Sequence, residues 1–102
     1  ERQEAWCALP LNEIRLTLSE DTHGPDSEAT AKACLALGVT LSRVGKFGEA
    51  EVKLQRALEL NESMYGAKHP SVAVTLTNLA IATRMLGDAA TAKRQLERAL
   101  AI

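Results

Sequence analysis

The sequence predicts an all-α protein, a right-handed α-solenoid of antiparallel helix pairs with about two and a half repeats in five helices. Three observations carry this. First, residues 24–60 recur at 66–102 without a gap, a shift of 42 residues. The identical pairs are Gly24/Gly66, Ala31/Ala73, Leu37/Leu79, Gly45/Gly87, Ala50/Ala92, Leu54/Leu96, Arg56/Arg98, Ala57/Ala99 and Leu58/Leu100. A sustained period of this length means stacked hairpins that each need a neighbour to bury their apolar face. Second, apolar residues recur three and four apart, the spacing of one helix face. Third, the chain is 46% hydrophobic but only 3% aromatic. Its core must be built from Leu, Ala and Val, which suits closely packed helices. Residues 72–75 are locally β-favouring, but their apolar pattern continues at helical spacing through Leu76, Leu79 and Ala80.

The elements follow in order. Residues 1–20 form an imperfect helix whose stripe is Ala8, Leu11, Ile14 and Leu18. Pro10 is tolerated in a first turn but costs roughly 3 kcal/mol in a helix interior. Either the helix starts near Leu9, or residues 1–8 form a separate turn or kinked arm. Trp6, the one Trp, reads as a docked packing residue. Residues 19–27 are a loop broken by Gly24 and Pro25. Asp26 or Ser27 caps the next helix, with Glu28 at the positive end of its dipole. The second helix is 29–44, with Ala33, Leu37, Val39, Leu41 and Val44 apolar and Ala36 and Gly38 small. Gly38 costs a helix interior about 0.5–1 kcal/mol against Ala, and close approach of a neighbour is the expected compensation. Gly45 ends the helix in a left-handed conformation.

The third helix is 47–64, burying Ala50, Leu54, Ala57, Leu58, Leu60 and Met64. Glu49, Glu51, Lys53, Gln55, Arg56, Glu59 and Glu62 make a solvated face. Residues 65–70 are the second long loop, and Pro70 opens a fourth helix through Leu86, in the favoured first turn. Gly87 and Asp88 turn the chain into a fifth helix, 89–102. The expected division is one domain: a half repeat at 1–21 and repeats at 22–63 and 64–102. The chain starts mid-pattern at Glu1 and stops at Ile102 on the last apolar position of a repeat, so a piece of a longer array is expected.

The spacing resembles the tetratricopeptide repeat. It reads Cys34-x-x-Leu37-Gly38-x-x-Leu41 then Ala50-x-x-x-Leu54-x-x-Ala57, and again Leu76-x-x-Leu79-Ala80-x-x-Thr83 then Ala92-x-x-x-Leu96-x-x-Ala99. A 42-residue period looks like the longer-helix variety found in kinesin light chains. Repeats of the HEAT type have a similar period, but the small residues favour the tetratricopeptide pattern. The match is good over 22–102 and poor over 1–21, where Asn12 and Arg15 replace Leu and Ala.

The resemblance implies that the first helix of each pair, helix A, lines a concave groove for extended or helical peptides. By position that groove takes Lys32, Leu35, Val39, Ser42 and Arg43 from one A helix, and Val74, Thr77, Asn78, Ile81 and Arg84 from the next. Asn78 has two readings: a side-chain amide that grips a peptide backbone through donor and acceptor, or a structural bond between adjacent helices. Lys32, Arg43 and Arg84 bias the groove toward acidic peptides, although each alone reads as a surface charge. Chaperone-tail binding is not expected, since Leu35 and Val39 stand where that clamp needs Lys and Asn.

Other function classes are disfavoured. Net charge is −1 and pI about 6.1, against a broad nucleic-acid or membrane-surface footprint. No apolar run approaches the roughly 20 residues of a membrane span. Cys7 and Cys34 read as reduced thiols in no C-x-x-C pattern, and nothing resembles a signal peptide. The expected setting is intracellular, in the cytoplasm. His23 and His69 lie in equivalent loops, with no metal-ligand spacing to each other or to the cysteines; loop capping or exposure is expected. No metal or cofactor is expected. There is no glycine-rich phosphate loop, HExxH or G-x-S-x-G, and Glu49 and Glu51 point to different faces. The expectation is a non-catalytic protein-interaction module. The alternatives are a segment that stacks or self-associates through its ends, and a docking region of a larger regulatory protein.

Overall fold

A computed structural model describes residues 2–24 and 26–102, with side chains from Leu9 onward. It contains five helices: α1 Arg2–His23, α2 Glu28–Arg43, α3 Phe47–Tyr65, α4 Pro70–Met85 and α5 Ala89–Ala101. No strand occurs among the described residues. Each helix packs on its neighbour in sequence, and beyond that only α2 and α4 bring their backbones close together. This quasi-linear stacking is the all-α solenoid expected from the repeat.

Helix ends are set by specific residues. Gly24, Gly45, Gly66 and Gly87 all have φ between +86° and +96°, and each follows a helix. At Gly45 and Gly87 the chain makes the same two bonds. Gly45 N donates to Ser42 O at 3.1 Å and Lys46 N to Leu41 O at 2.9 Å; Gly87 N donates to Arg84 O at 3.0 Å and Asp88 N to Thr83 O at 3.2 Å. This is a Schellman motif, which consumes otherwise orphaned carbonyls and needs a residue without Cβ strain. The N-termini are capped differently. Ser27 Oγ accepts from Thr30 N at 3.2 Å, His69 Nδ1 from Ser71 N at 3.1 Å, and Asp88 Oδ1 from Thr91 N at 3.1 Å. Of the two candidate caps for α2, Ser27 is the one used. The Thr91 side chain, and then its backbone N–H, hold the Asp88 carboxyl below its ordinary range.

The core runs through the middle of the stack, with Leu37, Leu41, Leu54, Leu58, Leu76 and Leu79 at its centre. Gly38 is buried beneath Leu54: a Cβ built on it would lie 2.6 Å from Leu54 Cγ. The expected close approach is therefore present. Cys34 is fully buried and free, and desolvation raises its thiol above the ordinary range. Side-chain hydrogen bonds cross the α1–α2 and α3–α4 seams. Asn12 Nδ2 donates to Thr40 Oγ1 at 2.7 Å between α1 and α2. Asn61 Nδ2 donates to Thr75 Oγ1 and Thr83 Oγ1 to Glu51 Oε2, both at 3.1 Å, between α3 and α4.

Three expectations need correction. Helix α1 is continuous from Arg2 through Pro10 to His23. It neither starts near Leu9 nor yields to a loop at Ser19. Its buried side is Leu9 and Leu16, while Leu11, Ile14 and Leu18 face outward. Finally, the charged face of α3 is only partly solvated. Glu51 accepts from Thr83. Arg56 Nη2 lies 2.9 Å from Glu20 Oε2 on α1, and Arg98 of α5 pairs with Glu62 of α3. The expectations for the side chains of Trp6 and Cys7 lie outside the described residues.

Candidate peptide-binding face

Helices α2 and α4 are the A helices of successive pairs, and they touch each other directly. Burial divides α4 sharply. Val72, Thr75, Leu76, Leu79, Ala80, Ala82 and Thr83 are buried. Val74, Thr77, Ile81 and Arg84 are exposed and Asn78 half-buried. The latter follow spacings of three and four, so they form one outward face. On α2, Leu35, Val39 and Ser42 are half-buried, and Lys32 and Arg43 exposed. The ten residues named from sequence thus lie on the two A helices, most of them on sides that the core leaves open, while Leu35 packs against the core.

Their individual environments differ. Lys32 Nζ sits 3.0 Å from Glu28 Oε1, so its charge is matched within its own helix. The Lys32 hydrogen bond and charge, and then the Tyr65 hydroxyl, hold the Glu28 carboxyl below its ordinary range. Asn78 Nδ2 donates to Val74 O at 3.2 Å, one turn back. That bond runs within α4 and not between helices. Thr77 Oγ1 likewise bonds Ala73 O at 2.9 Å. Ser42 Oγ is buried without a hydrogen-bond partner. Arg43 and Arg84 have no carboxylate partner among the described residues.

Three of the ten, Lys32, Leu35 and Val74, meet at a cavity of about 150 Å³. The cavity also takes in Glu28, Asn61 and Tyr65. Tyr65 stacks on His69 with centroids 4.4 Å apart; partial burial and the nearby Glu28 carboxylate raise its hydroxyl above the ordinary range. Sequence reasoning missed these three because they belong to helix ends and a B helix, where family position gives no guide.

A larger groove, about 500 Å³, lies elsewhere, between α1 and α3 over α2. Leu16, Leu37 and Leu41 floor it, with Glu13, Glu20 and Lys53 on its walls. The signal for this side was present in sequence: Glu20 and Arg56 recur as Glu62 and Arg98, 42 residues on. Among the described residues no group of three or more His, Cys, Asp or Glu could hold a metal ion. Among the same residues no helix is long and apolar enough to cross a membrane.

Stacked helical hairpins with small residues at the crossings and glycines at the turns define a helical-repeat protein. The tetratricopeptide repeat family model matches residues 32–102, and the chain belongs to that family. It is also similar to clustered mitochondria protein homologs from Aspergillus fumigatus, Neosartorya fischeri and Aspergillus clavatus. Each is 28% identical over 102 residues, covering 100% of this chain. The chain spans about 8% of the length of these relatives. Repeats of this family generally mediate protein–protein interaction.

Proposed function

We propose that this chain is a non-catalytic interaction module that binds a peptide or helix of a partner protein across the α2–α4 face. The carrying observation is the exposure of Val74 and Ile81, 53% and 43%, on a helix whose other large aliphatic residues up to Leu79 are buried. Leu35 and Val39 continue that apolar strip onto α2. Arg43 and Arg84 at its other end favour acidic peptides through charge complementarity. The supporting frame is a half repeat at 1–21 followed by repeats at 22–63 and 64–102, of the 42-residue variety seen in kinesin light chains. The likeness to clustered mitochondria protein homologs suggests a setting: a longer protein of that kind, inside the cell, in which this segment supplies a protein contact.

The test is a panel of acidic and neutral peptides titrated against the 102-residue chain by fluorescence anisotropy. Acidic peptides should bind more tightly, and Asn78→Ala and Arg84→Ala should each weaken binding about 5- to 30-fold, the effect of losing about 1–2 kcal/mol. Affinities unchanged by both substitutions would sink the assignment of this face.

A further inference from the structure

A buried amide on α3 is only half used. Asn61 is 6% exposed and lines the cavity of about 150 Å³ where α2, α3 and α4 meet. Its Nδ2 donates to Thr75 Oγ1 at 3.1 Å. Thr75 Oγ1 gives its own hydrogen to Ser71 O at 2.8 Å, so toward Asn61 it can only accept. That fixes the amide with its nitrogen on Thr75. No described residue donates to Asn61 Oδ1, and the second Nδ2 hydrogen has no acceptor among them. A buried amide costs free energy wherever its groups are left unpaired. Stacking does not demand this pair. Under the 42-residue shift Asn61 and Thr75 correspond to Ser19 and Ala33, and α1 packs on α2 without it.

The rest of the cavity narrows what completes it. Ala31, Leu35 and Val74 give it apolar wall. Glu28 and Lys32 meet at its rim, 3.0 Å apart, and the Tyr65 hydroxyl also bonds Glu28, so the two rim charges cancel. The volume lies below the roughly 300–1,000 Å³ of a small-molecule site and suits a single side chain.

We propose that this cavity receives one carboxamide side chain, a glutamine, from the peptide bound across the α2–α4 face, an inference that rests on that reading of the face. The glutamine N–H donates to Asn61 Oδ1 and its carbonyl accepts the spare Nδ2 hydrogen. Only a group with both donor and acceptor completes that pairing. Its two methylenes lie against Leu35 and Val74. Glutamate would set a second carboxylate beside Glu28 and offer Asn61 Oδ1 no donor. Lysine would leave the spare Nδ2 hydrogen unpaired and bring a second ammonium to Lys32. Leucine would seal both groups of Asn61 from water without partners. The cavity's place also sets a spacing. Val74 and Arg84 are ten residues apart on α4, about 15 Å along a helix. An extended peptide covers that distance in about four or five residues. The recognised sequence is therefore a glutamine about four or five positions from an acidic residue that faces Arg84.

The experiment titrates the 102-residue chain by fluorescence anisotropy with labelled acidic peptides in which a single glutamine is moved stepwise away from the acidic residue, each against twins with leucine or glutamate at the same position. Affinity should peak with the glutamine about four or five residues away, at least about 5-fold tighter than either twin. The double variant Asn61→Leu/Thr75→Val should abolish that preference and bind the leucine twin as tightly or better. It replaces both hydrogen-bonding partners by apolar groups of similar size, so it should fold, which a thermal melt verifies. Val74→Phe is a surface change that fills the cavity mouth, and it should remove the same preference without touching the buried pair. The proposal is overturned if glutamine brings no gain at any position, or if the gain survives both variants. If Arg84→Ala and Asn78→Ala still weaken the peptides in that case, the face assignment stands and only the anchor falls. A glutamine gain that both variants abolish, with no effect of Arg84→Ala or Asn78→Ala, keeps the anchor and sinks the face. No binding of any peptide sinks both.

Discussion

A Cβ placed on Gly38 would meet Leu54 Cγ at 2.6 Å and Leu54 Cδ2 at 2.8 Å. Leu54 is itself fully buried, so it has little freedom to retreat. Gly48, in the first turn of α3, has nothing within 4 Å of the same atom. Two glycine-to-alanine changes in neighbouring helices should therefore act in opposite directions. Gly38→Ala should destabilise by about 1–3 kcal/mol through overpacking. Gly48→Ala should be neutral or stabilise by up to about 1 kcal/mol, from helix propensity alone. Urea denaturation of both variants decides this; equal effects would show that α2 and α3 can separate to admit a methyl. The tight crossing was legible in the sequence because a helix-interior glycine needs a reason. Asn78 was not legible in this way. Its amide can bond its own helix, a neighbour or a ligand, and residue type alone does not choose between them.

At the scale of one element, α1 departs furthest from its sequence reading. Two apolar sets, Leu9 with Leu16 and Leu11 with Ile14 and Leu18, both obey helical spacing. Periodicity counts faces but does not say which one a neighbour covers. The repeat does not choose between them either: Leu16 aligns with the buried Leu58, and Leu18 aligns with the buried Leu60. The difference is that α2 lies on the Leu16 side and no described helix lies on the Leu18 side. The two leucines give a direct test. Leu16→Ala should cost about 2–4 kcal/mol, as for a leucine removed from a core. Leu18→Ala should cost less than about 0.5 kcal/mol, as for a surface site. Thermal melts of the pair check this, and a large loss for Leu18→Ala would mean that the outward stripe is packed within the chain. Helices α2 to α5 were legible to within a residue or two because their ends are fixed by glycine turns and caps, which the chain spells out locally.

Across the whole molecule, the two ion pairs Glu20–Arg56 and Glu62–Arg98 repeat with the same 42-residue period as the core. They join the second helix of each pair to its predecessor, α1 to α3 and α3 to α5. Those helices have no close backbone contact, so each pair spans a groove otherwise held open by the intervening A helix. This link was written in the sequence as recurring Glu and Arg, but charged residues on one helix face read most simply as solvated. Only the stacking shows that a charge on one helix faces its opposite one repeat away. The side chains are about a third exposed, so each pair should be worth only about 0.2–1 kcal/mol. Glu20 of the first pair also stands on the wall of the 500 Å³ groove between α1 and α3. A double-mutant cycle with Glu20→Gln and Arg56→Gln should give a coupling of about 0.2–1 kcal/mol that shrinks with added salt, the Debye length being about 10 Å at 0.1 M. The pair at Glu62 and Arg98 should give a similar value, independent of the first, because nearest-neighbour terms in a repeat stack add. Coupling that persists unchanged at about 1 M salt, where the Debye length is about 3 Å, would contradict the electrostatic account. Non-additivity between the two pairs would show that the hairpins do not rotate independently.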